Sequence, residues 1–394
     1  MKIGLVLPAV PAYSETFFVN KIKGLQSHGH EVVLFVHAKT SQSSFEGAKV
    51  IAAPKWTGSS IGGFINAFFQ LFLLLFHSKA VIRFCRLDRK DGISMFSIIK
   101  RIAANSHLLS KKLDWLHFGF GTMALERENI AQAIKAKMAV SFRGFDYYVY
   151  PVKTPDCYTV LFSKKVTYHV LSESMKKGLT AQGIAADEIV KITPAIDIAK
   201  FSVHNHQPYD SKEIKIVTVA RLHWIKGIEY TLEALALVKA KGFSFQYVVV
   251  GDGSEKERLL FAAYQLGLKD HVVFAGKLTS EEVREKLETC DLYLQYSIQE
   301  GFCNAVLEAQ AMCKVCIVSN AEGLSENVLD GVTGFVVPKR NPVSLAEAIC
   351  NTASLTAEKQ RTIAGNAADR IRKEFSIQEQ IKQFVRFYED YQKN

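Results

Sequence analysis

The chain has 394 residues, 48% of them apolar, which excludes global disorder and leaves room for two or three domains of ~100–200 residues. Its net charge is +10, unevenly placed: residues 1–205 carry 26 Lys+Arg against 14 Asp+Glu, the remainder 23 against 25. An anionic partner is therefore expected to meet the first half.

Residues 2–8 read as a strand, too short an apolar run for a secretory signal, and 32–36 as a second strand. Between them 16–27 has helical spacing, with Gly29 at its end. Strand, helix and strand make one βαβ unit of a parallel sheet. The loop holding Ser14 and Glu15 then lies at a strand's carboxyl end, where open α/β sheets bind ligands. Ser14 could equally cap the helix that begins at Thr16.

Residues 61–76 are rich in Phe and Leu and carry no charge, yet fall short of the ~20 apolar residues of a spanning helix. From Lys79 to Lys112 nine basic residues meet two acidic ones. An apolar helix beside a basic one suits peripheral contact with a membrane, and a core helix with solvated neighbours fits equally well. Strands follow at 113–118, 138–142, 166–171 and 190–192. His117 sits in the first of these, and Arg143-Gly144-Phe145-Asp146 follows the second. The polar stretch 202–212 reads as a linker, which places domains at 1–205 and 206–375, with a last helix within 376–394.

The second half repeats the alternation, with strands at 214–220, 247–250, 272–274, 292–296, 315–318 and 335–337 and helices between them. Two doubly wound α/β domains facing a cleft are expected. Seven scattered cysteines give no disulfide framework and suit a reducing, cytoplasmic setting. Cys313 and Cys316 form a lone C-x-x-C, better read as buried thiols than as half of a zinc site.

The chemistry concentrates in Gln299-Glu300-Gly301-Phe302-Cys303-Asn304 and the helical segment beyond it. Glu300 lies in a strand-to-helix loop, and Glu308 lies two turns inside the helix. Backbone N–H groups from Phe302 to Ala305 make an anion seat at the helix N-terminus. Phosphates between two carboxylates that can bind hydroxyls describe a sugar nucleotide. Arg221 and Lys226 follow the first strand of the second domain and would neutralise a diphosphate leaving group. Gly251-Asp252-Gly253 resembles a dinucleotide fingerprint, but Lys256 occupies its third glycine position, so a nicotinamide enzyme is disfavoured. No P-loop occurs, and the basic stretch carries no nucleic-acid motif.

Together these motifs resemble the retaining glycosyltransferases of family 4, with the GT-B fold of two Rossmann-like domains. Ser14-Glu15-Thr16-Phe17, Arg221-x4-Lys226, Gly251-Asp252-Gly253, Glu300-x7-Glu308 and Gly323-Leu324-Ser325-Glu326 carry the resemblance. It implies catalytic roles for Glu300, Arg221, Lys226 and His117. It implies donor binding by Gly301, Phe302, Cys303, Asn304, Glu308, Gly251, Gly253, Leu278, Ser14 and Glu15. Thr16, Arg143 and Asp146 fall on the acceptor side, and the last helix crosses back to the first domain. Also implied is transfer of a hexose with retention and without cofactor or obligatory metal. The chain contains no Asp-x-Asp. The donor would be a UDP or GDP sugar, and the acceptor an anionic or lipid-linked saccharide at the inner face of the plasma membrane. A sugar-nucleotide epimerase is the alternative on the same fold. Three positions depart from the family pattern: Gly119 and Arg143, where a His is common, and Cys313, where Gly is common.

Overall fold

The computed structural model describes residues 1–11, 16–38, 40, 42–54, 78–202 and 213–390. The expected apolar helix at 61–76, the candidates Ser14 and Glu15, and most of the polar stretch 202–212 lie outside the described residues. Two compact units form. One comprises Met1–Leu171, Met175–Ile192 and the chain from Ile381 on; the other comprises Ser172–Ser174 and Thr193–Gln380. The main division falls between Ile192 and Thr193, ahead of the polar stretch.

In the first unit eight strands run in the order β3-β4-β2-β1-β5-β6-β7-β8. They are β1 (Lys2–Leu7), β2 (Glu31–Val36), β3 (Ser44–Phe45), β4 (Ala48–Ala52), β5 (Trp115–Phe118), β6 (Lys137–Ser141), β7 (Thr167–Val170) and β8 (Ile189–Lys191). Every pairing is parallel except β3 with β4. The central strands are near-continuous apolar runs because both faces are covered: Ile3, Leu5, Leu34 and Phe35 are all buried. The β3–β4 hairpin escapes the sequence pattern. Its first strand is two residues long, too short for any alternation to register.

The last helix, Ile377–Asp390, has a strongly one-sided apolar face, and from Ile381 on it belongs to the first unit. Phe387 and Tyr388 pack their rings 5.9 and 5.5 Å from that of Trp115. Beneath them runs a buried polar chain whose proton positions follow from one carbonyl. His169 Nε2 lies 3.0 Å from the Ile192 oxygen, which can only accept, so that nitrogen carries the proton. His169 Nδ1 then accepts from Ser141 Oγ at 2.8 Å, and Ser141 accepts from His117 Nε2 at 2.8 Å. His117 Nδ1 is left to accept from Tyr388 at 2.6 Å and Lys21 at 3.2 Å. This is the bond pattern of two neutral imidazoles. Burial, with the Lys21 ammonium close by, holds their pKa values well below the ordinary 6.5.

The second unit carries a six-stranded, fully parallel sheet in the order β11-β10-β9-β12-β13-β14. Its strands are β9 (Glu213–Val219), β10 (Ser244–Val250), β11 (Val272–Gly276), β12 (Leu292–Gln295), β13 (Val315–Ser319) and β14 (Phe335–Val337). The order reverses at β9 and β12. One half of the sheet grows outward from β9 and the other from β12, so the loops leaving these neighbours diverge and open a crevice at their carboxyl ends. Ile216, Tyr247, Leu292, Leu294 and Ile317 fill the core around them. Cys316 is fully buried in β13, and among the described residues no group of three His, Cys, Asp or Glu could hold a metal ion.

The neutral histidines carry a pH signature. Above about pH 6.5 the unfolded chain's imidazoles are neutral as well, and no proton uptake accompanies unfolding there. Below it the unfolded chain binds protons that the folded core refuses, so stability is lost as pH falls. Urea unfolding at pH ~7.5 and ~5.5 should show a loss on the order of 1–3 kcal/mol, reduced when His117 and His169 are both replaced by Asn.

Candidate active site

The loops at the reversal point of the second sheet bring the strongest sequence candidates together. After β9 the chain runs through Arg221 into a short 3-10 turn, Trp224–Lys226. After β12 it runs through Ser297 and Glu300 to the Asn304–Ala311 helix. A backbone bond from Ile298 N–H to the Ile225 carbonyl, 2.7 Å, zips the two loops together. Lys226 donates to the Glu300 carboxylate in a short ion pair, and both side chains are largely buried. Ser297 Oγ donates to the same carboxylate at 3.2 Å. Burial works against the Lys226 ammonium, but Glu300 more than offsets it and its pKa is raised. Arg221, two residues past the end of β9, is exposed; its carbonyl accepts from His223 N–H at 2.9 Å, and its side chain makes no hydrogen bond or ion pair among the described residues.

Glu308 has a different environment. Its side chain lies at the edge of the buried region with no hydrogen bond or ion pair among the described residues. Burial pushes its pKa up to about 7, moderated by the Lys200 ammonium. A carboxylate held close to neutrality and left unpartnered can still accept hydrogen bonds from ligand hydroxyls.

The helix N-terminus between them is more structured than its sequence suggested. Cys303 N–H is not available to a ligand: it donates to Asn327 Oδ1 at 3.0 Å, and Asn327 Nδ2 donates back to the Cys303 carbonyl at 3.1 Å. The Cys303 thiol is buried, and its pKa is pushed up to about 12. Asn304, Ala305 and Val306 open the helix, where N–H groups lack intrahelical acceptors. Phe302 is buried against Phe375, ring centroids 5.8 Å apart. Gly301 is buried, and Gly323 N–H donates to the Glu300 carbonyl at 2.9 Å. Glu300 N–H reaches Glu322, which pairs with Lys339 at 2.9 Å. Asn327, Ser297, Glu322 and Lys200 are the residues that sequence reasoning missed or set aside. Nothing local in the sequence marks Ser297, Glu322 or Lys200 for a site.

Gly251 and Gly253 have a steric role. A Cβ at either would overlap the carbonyl oxygen of Ala220 or Leu222, so both glycines let the loop after β10 close onto the loop carrying Arg221. Leu222 N–H donates to the Asp252 carbonyl at 3.0 Å across this contact. Leu278 is half-buried in the loop after β11, beside the Gly251–Gly276 bridge.

The candidates of the first unit fare differently. His117, expected at an active site, is fully buried inside the sheet and spends both ring nitrogens on Ser141, Lys21 and Tyr388, so it presents no face to a substrate. Asp146 is also buried. Its two oxygens accept from the Gly121 and Arg143 N–H groups at 2.7 and 2.8 Å, which clamps two loops together. Burial raises its pKa despite those bonds. Arg143 lays its guanidinium 3.5 Å above the Phe17 ring and donates from Nε to the Gly119 carbonyl at 3.3 Å. A Cβ at Gly119 would overlap Leu7 and crowd Phe18. Two of the departures from the family pattern are thus neighbours: a side chain at 119 would have to displace Leu7 and Phe18, and Arg143 bonds to the Gly119 carbonyl beside it. Thr16 opens the Thr16–Ser27 helix.

Two doubly wound parallel sheets are the architecture of the GT-B fold. Residues 200–370 match the family model described as glycosyl transferases group 1. A protein of Salmonella typhimurium named as the colanic acid biosynthesis glycosyltransferase WcaL is 24% identical over 395 residues, covering 96% of this chain and 97% of that one. The amylovoran biosynthesis glycosyltransferase AmsK of Erwinia amylovora is 26% identical over 258 residues, 62% of each chain. Anabaena HepE, solved with UDP and glucose, superposes with a TM-score of 0.73 over 99% of this chain and 100% of that one, at 17% identity.

The third departure carries a cost. Cys313 has φ 54°, in the left-handed region, just past the end of the Asn304–Ala311 helix. Lys314 N–H donates back to the Ala309 carbonyl, which is the helix-end motif that favours glycine. Glycine at 313 would relieve about 1 kcal/mol of backbone strain but remove a thiol buried in the core, so Cys313→Gly should shift the thermal midpoint by only a few degrees, with unchanged donor affinity.

Proposed function

We propose that the chain transfers a hexose, with retention at the anomeric carbon, from a UDP or GDP sugar to an anionic or lipid-linked saccharide. The setting would be polysaccharide assembly at the inner face of the plasma membrane. The observation that carries this reading is the reversal point of the second sheet, where Lys226, Glu300 and the opening of the Asn304–Ala311 helix converge. Growing negative charge on a departing diphosphate would be met by Lys226, Arg221 and the N–H groups of Asn304 and Ala305. Lys226 would exchange part of its bond with Glu300 for the phosphate, which frees the carboxylate to hold a hydroxyl of the transferred sugar. Glu308 would accept from the ribose hydroxyls. The cations supply the neutralisation that a divalent ion gives in other transferases, so transfer is expected to survive chelation.

Support for the biological setting comes from relatives named for colanic acid and amylovoran biosynthesis. Support for a uridine donor comes from the UDP bound in a protein of the same fold. The positive balance of residues 1–205 fits an anionic acceptor.

A thermal-shift screen across UDP-, GDP-, ADP- and TDP-sugars tests the donor class, and one base should stand out. Lys226→Ala should abolish transfer and weaken donor binding by on the order of 10- to 100-fold. Wild-type turnover in that variant would remove the diphosphate role. Interconversion of a sugar nucleotide with no acceptor present would instead mark an epimerase. With a Glu308 pKa of about 7, affinity for a nucleotide sugar, whose diphosphate does not titrate there, should fall roughly 10-fold between pH ~8 and ~6. Titration calorimetry of Glu308→Gln should show that slope gone.

A further inference from the structure

The first unit carries a pair of helices, Ser78–Lys90 and Met95–Ala104, joined by a tight four-residue turn. Buried Phe84, Ile98 and Ile102 fix both to the body of the unit, so the side chains they leave outside are not awaiting a core. At the first turn of the second helix Met95, Phe96 and Ile99 stand 48%, 68% and 46% exposed. These three share one helix face, and Lys100 beside them sets its ammonium 4.1 Å over the Phe96 ring. The preceding helix exposes Lys79, Ile82, Arg86 and Arg89 at spacings of three and four, a stripe along one of its faces.

The charge on this surface is of one sign for a structural reason. The stretch contains two carboxylates, and both face inward. Asp88 is 1% exposed and takes bonds from Arg101 and Asn129. Asp91 is paired with Lys164 and also bonded by Asn129. Among the described residues 78–104, then, all the exposed charge is cationic, on helices that also expose aromatic and aliphatic groups.

We propose that this helix pair is a docking surface for an anionic lipid bilayer. Phe96, Ile99 and Met95 would enter the headgroup boundary while Arg86, Arg89 and Lys100 meet lipid phosphates, with the alkyl stems lying along the apolar groups. A neutral partner would leave the cations uncompensated, and a soluble polyanion would leave Phe96 in water. Among the described residues no helix is long and apolar enough to cross a membrane, so the contact is a surface one. The inference rests on the proposed transfer to a membrane-held acceptor, for which it supplies the means of approach.

Co-sedimentation of the full chain with vesicles of phosphatidylcholine, alone or mixed with phosphatidylglycerol, tests it. The wild type should bind the mixed vesicles far better than the neutral ones, and lose that binding at high salt. The variant Arg86→Glu/Arg89→Glu/Lys100→Glu should lower partitioning by on the order of 100-fold or more, and Phe96→Ser/Ile99→Ser by on the order of 10-fold or more. An unchanged thermal shift with the nucleotide sugar would show both variants folded. A wild type left in the supernatant, or variants that sediment as it does, would overturn the surface. So would self-association abolished by Phe96→Ser without vesicle binding. Donor binding without vesicle binding rejects the surface alone, whereas vesicle binding with no donor bound rejects the transferase reading alone.

Discussion

Lys226 and Glu300 are held together because β9 and β12 are neighbours from which the sheet grows in opposite directions. Neither residue could reach the other along the chain, since 74 positions separate them. Parallel pairing places both strand ends on one edge, and the reversal of order keeps any crossover from covering the gap. The remaining parts of the site follow from that edge. The loop after β10 closes onto the loop after β9 only because Gly251 and Gly253 lack a Cβ. The helix after β12 is pinned by Asn327, which spends both ends of its amide on one residue.

The two carboxylates of the Glu300-x7-Glu308 element are chemically distinct although the sequence presents them alike. Glu300 is neutralised by an adjacent ammonium and a serine hydroxyl. Glu308 has burial without a partner, which brings its titration close to neutral pH. One is poised to exchange a bond and the other to form one. Similar side chains acquire these separate properties from position relative to Lys226 and Lys200, a matter of packing.

In the first unit the polar side chains are used for structure. His117, Ser141 and His169 form a chain of bonds with a single direction, set by the Ile192 carbonyl and ending on Tyr388 of the last helix. This gives that helix a polar anchor beneath its aromatic contacts with Trp115. Arg143 and Gly119 show the same economy: the space that a second histidine would occupy is closed by Leu7 and Phe18, and the arginine stacks over Phe17 instead.

Much of this was determined by local pattern. Buried parallel strands are apolar on both faces, so their runs stand out, and the strands at 292–296 and 335–337 needed little adjustment. Motif spacing alone placed Arg221, Lys226, Glu300 and Glu308 in the second unit. The tertiary structure decided what spacing cannot express, namely which side chains face inward. A histidine in a strand looks the same whether it lines a site or serves the core; packing buries His117 and Asp146 and gives both hydrogen-bond partners within the first unit. The left-handed Cys313 and the bridging Asn327 came from backbone geometry and from contacts 24 residues apart. The cationic helix pair owes its single sign to Asp88 and Asp91 turning inward. Composition counts charges, but only packing decides which of them reach the surface.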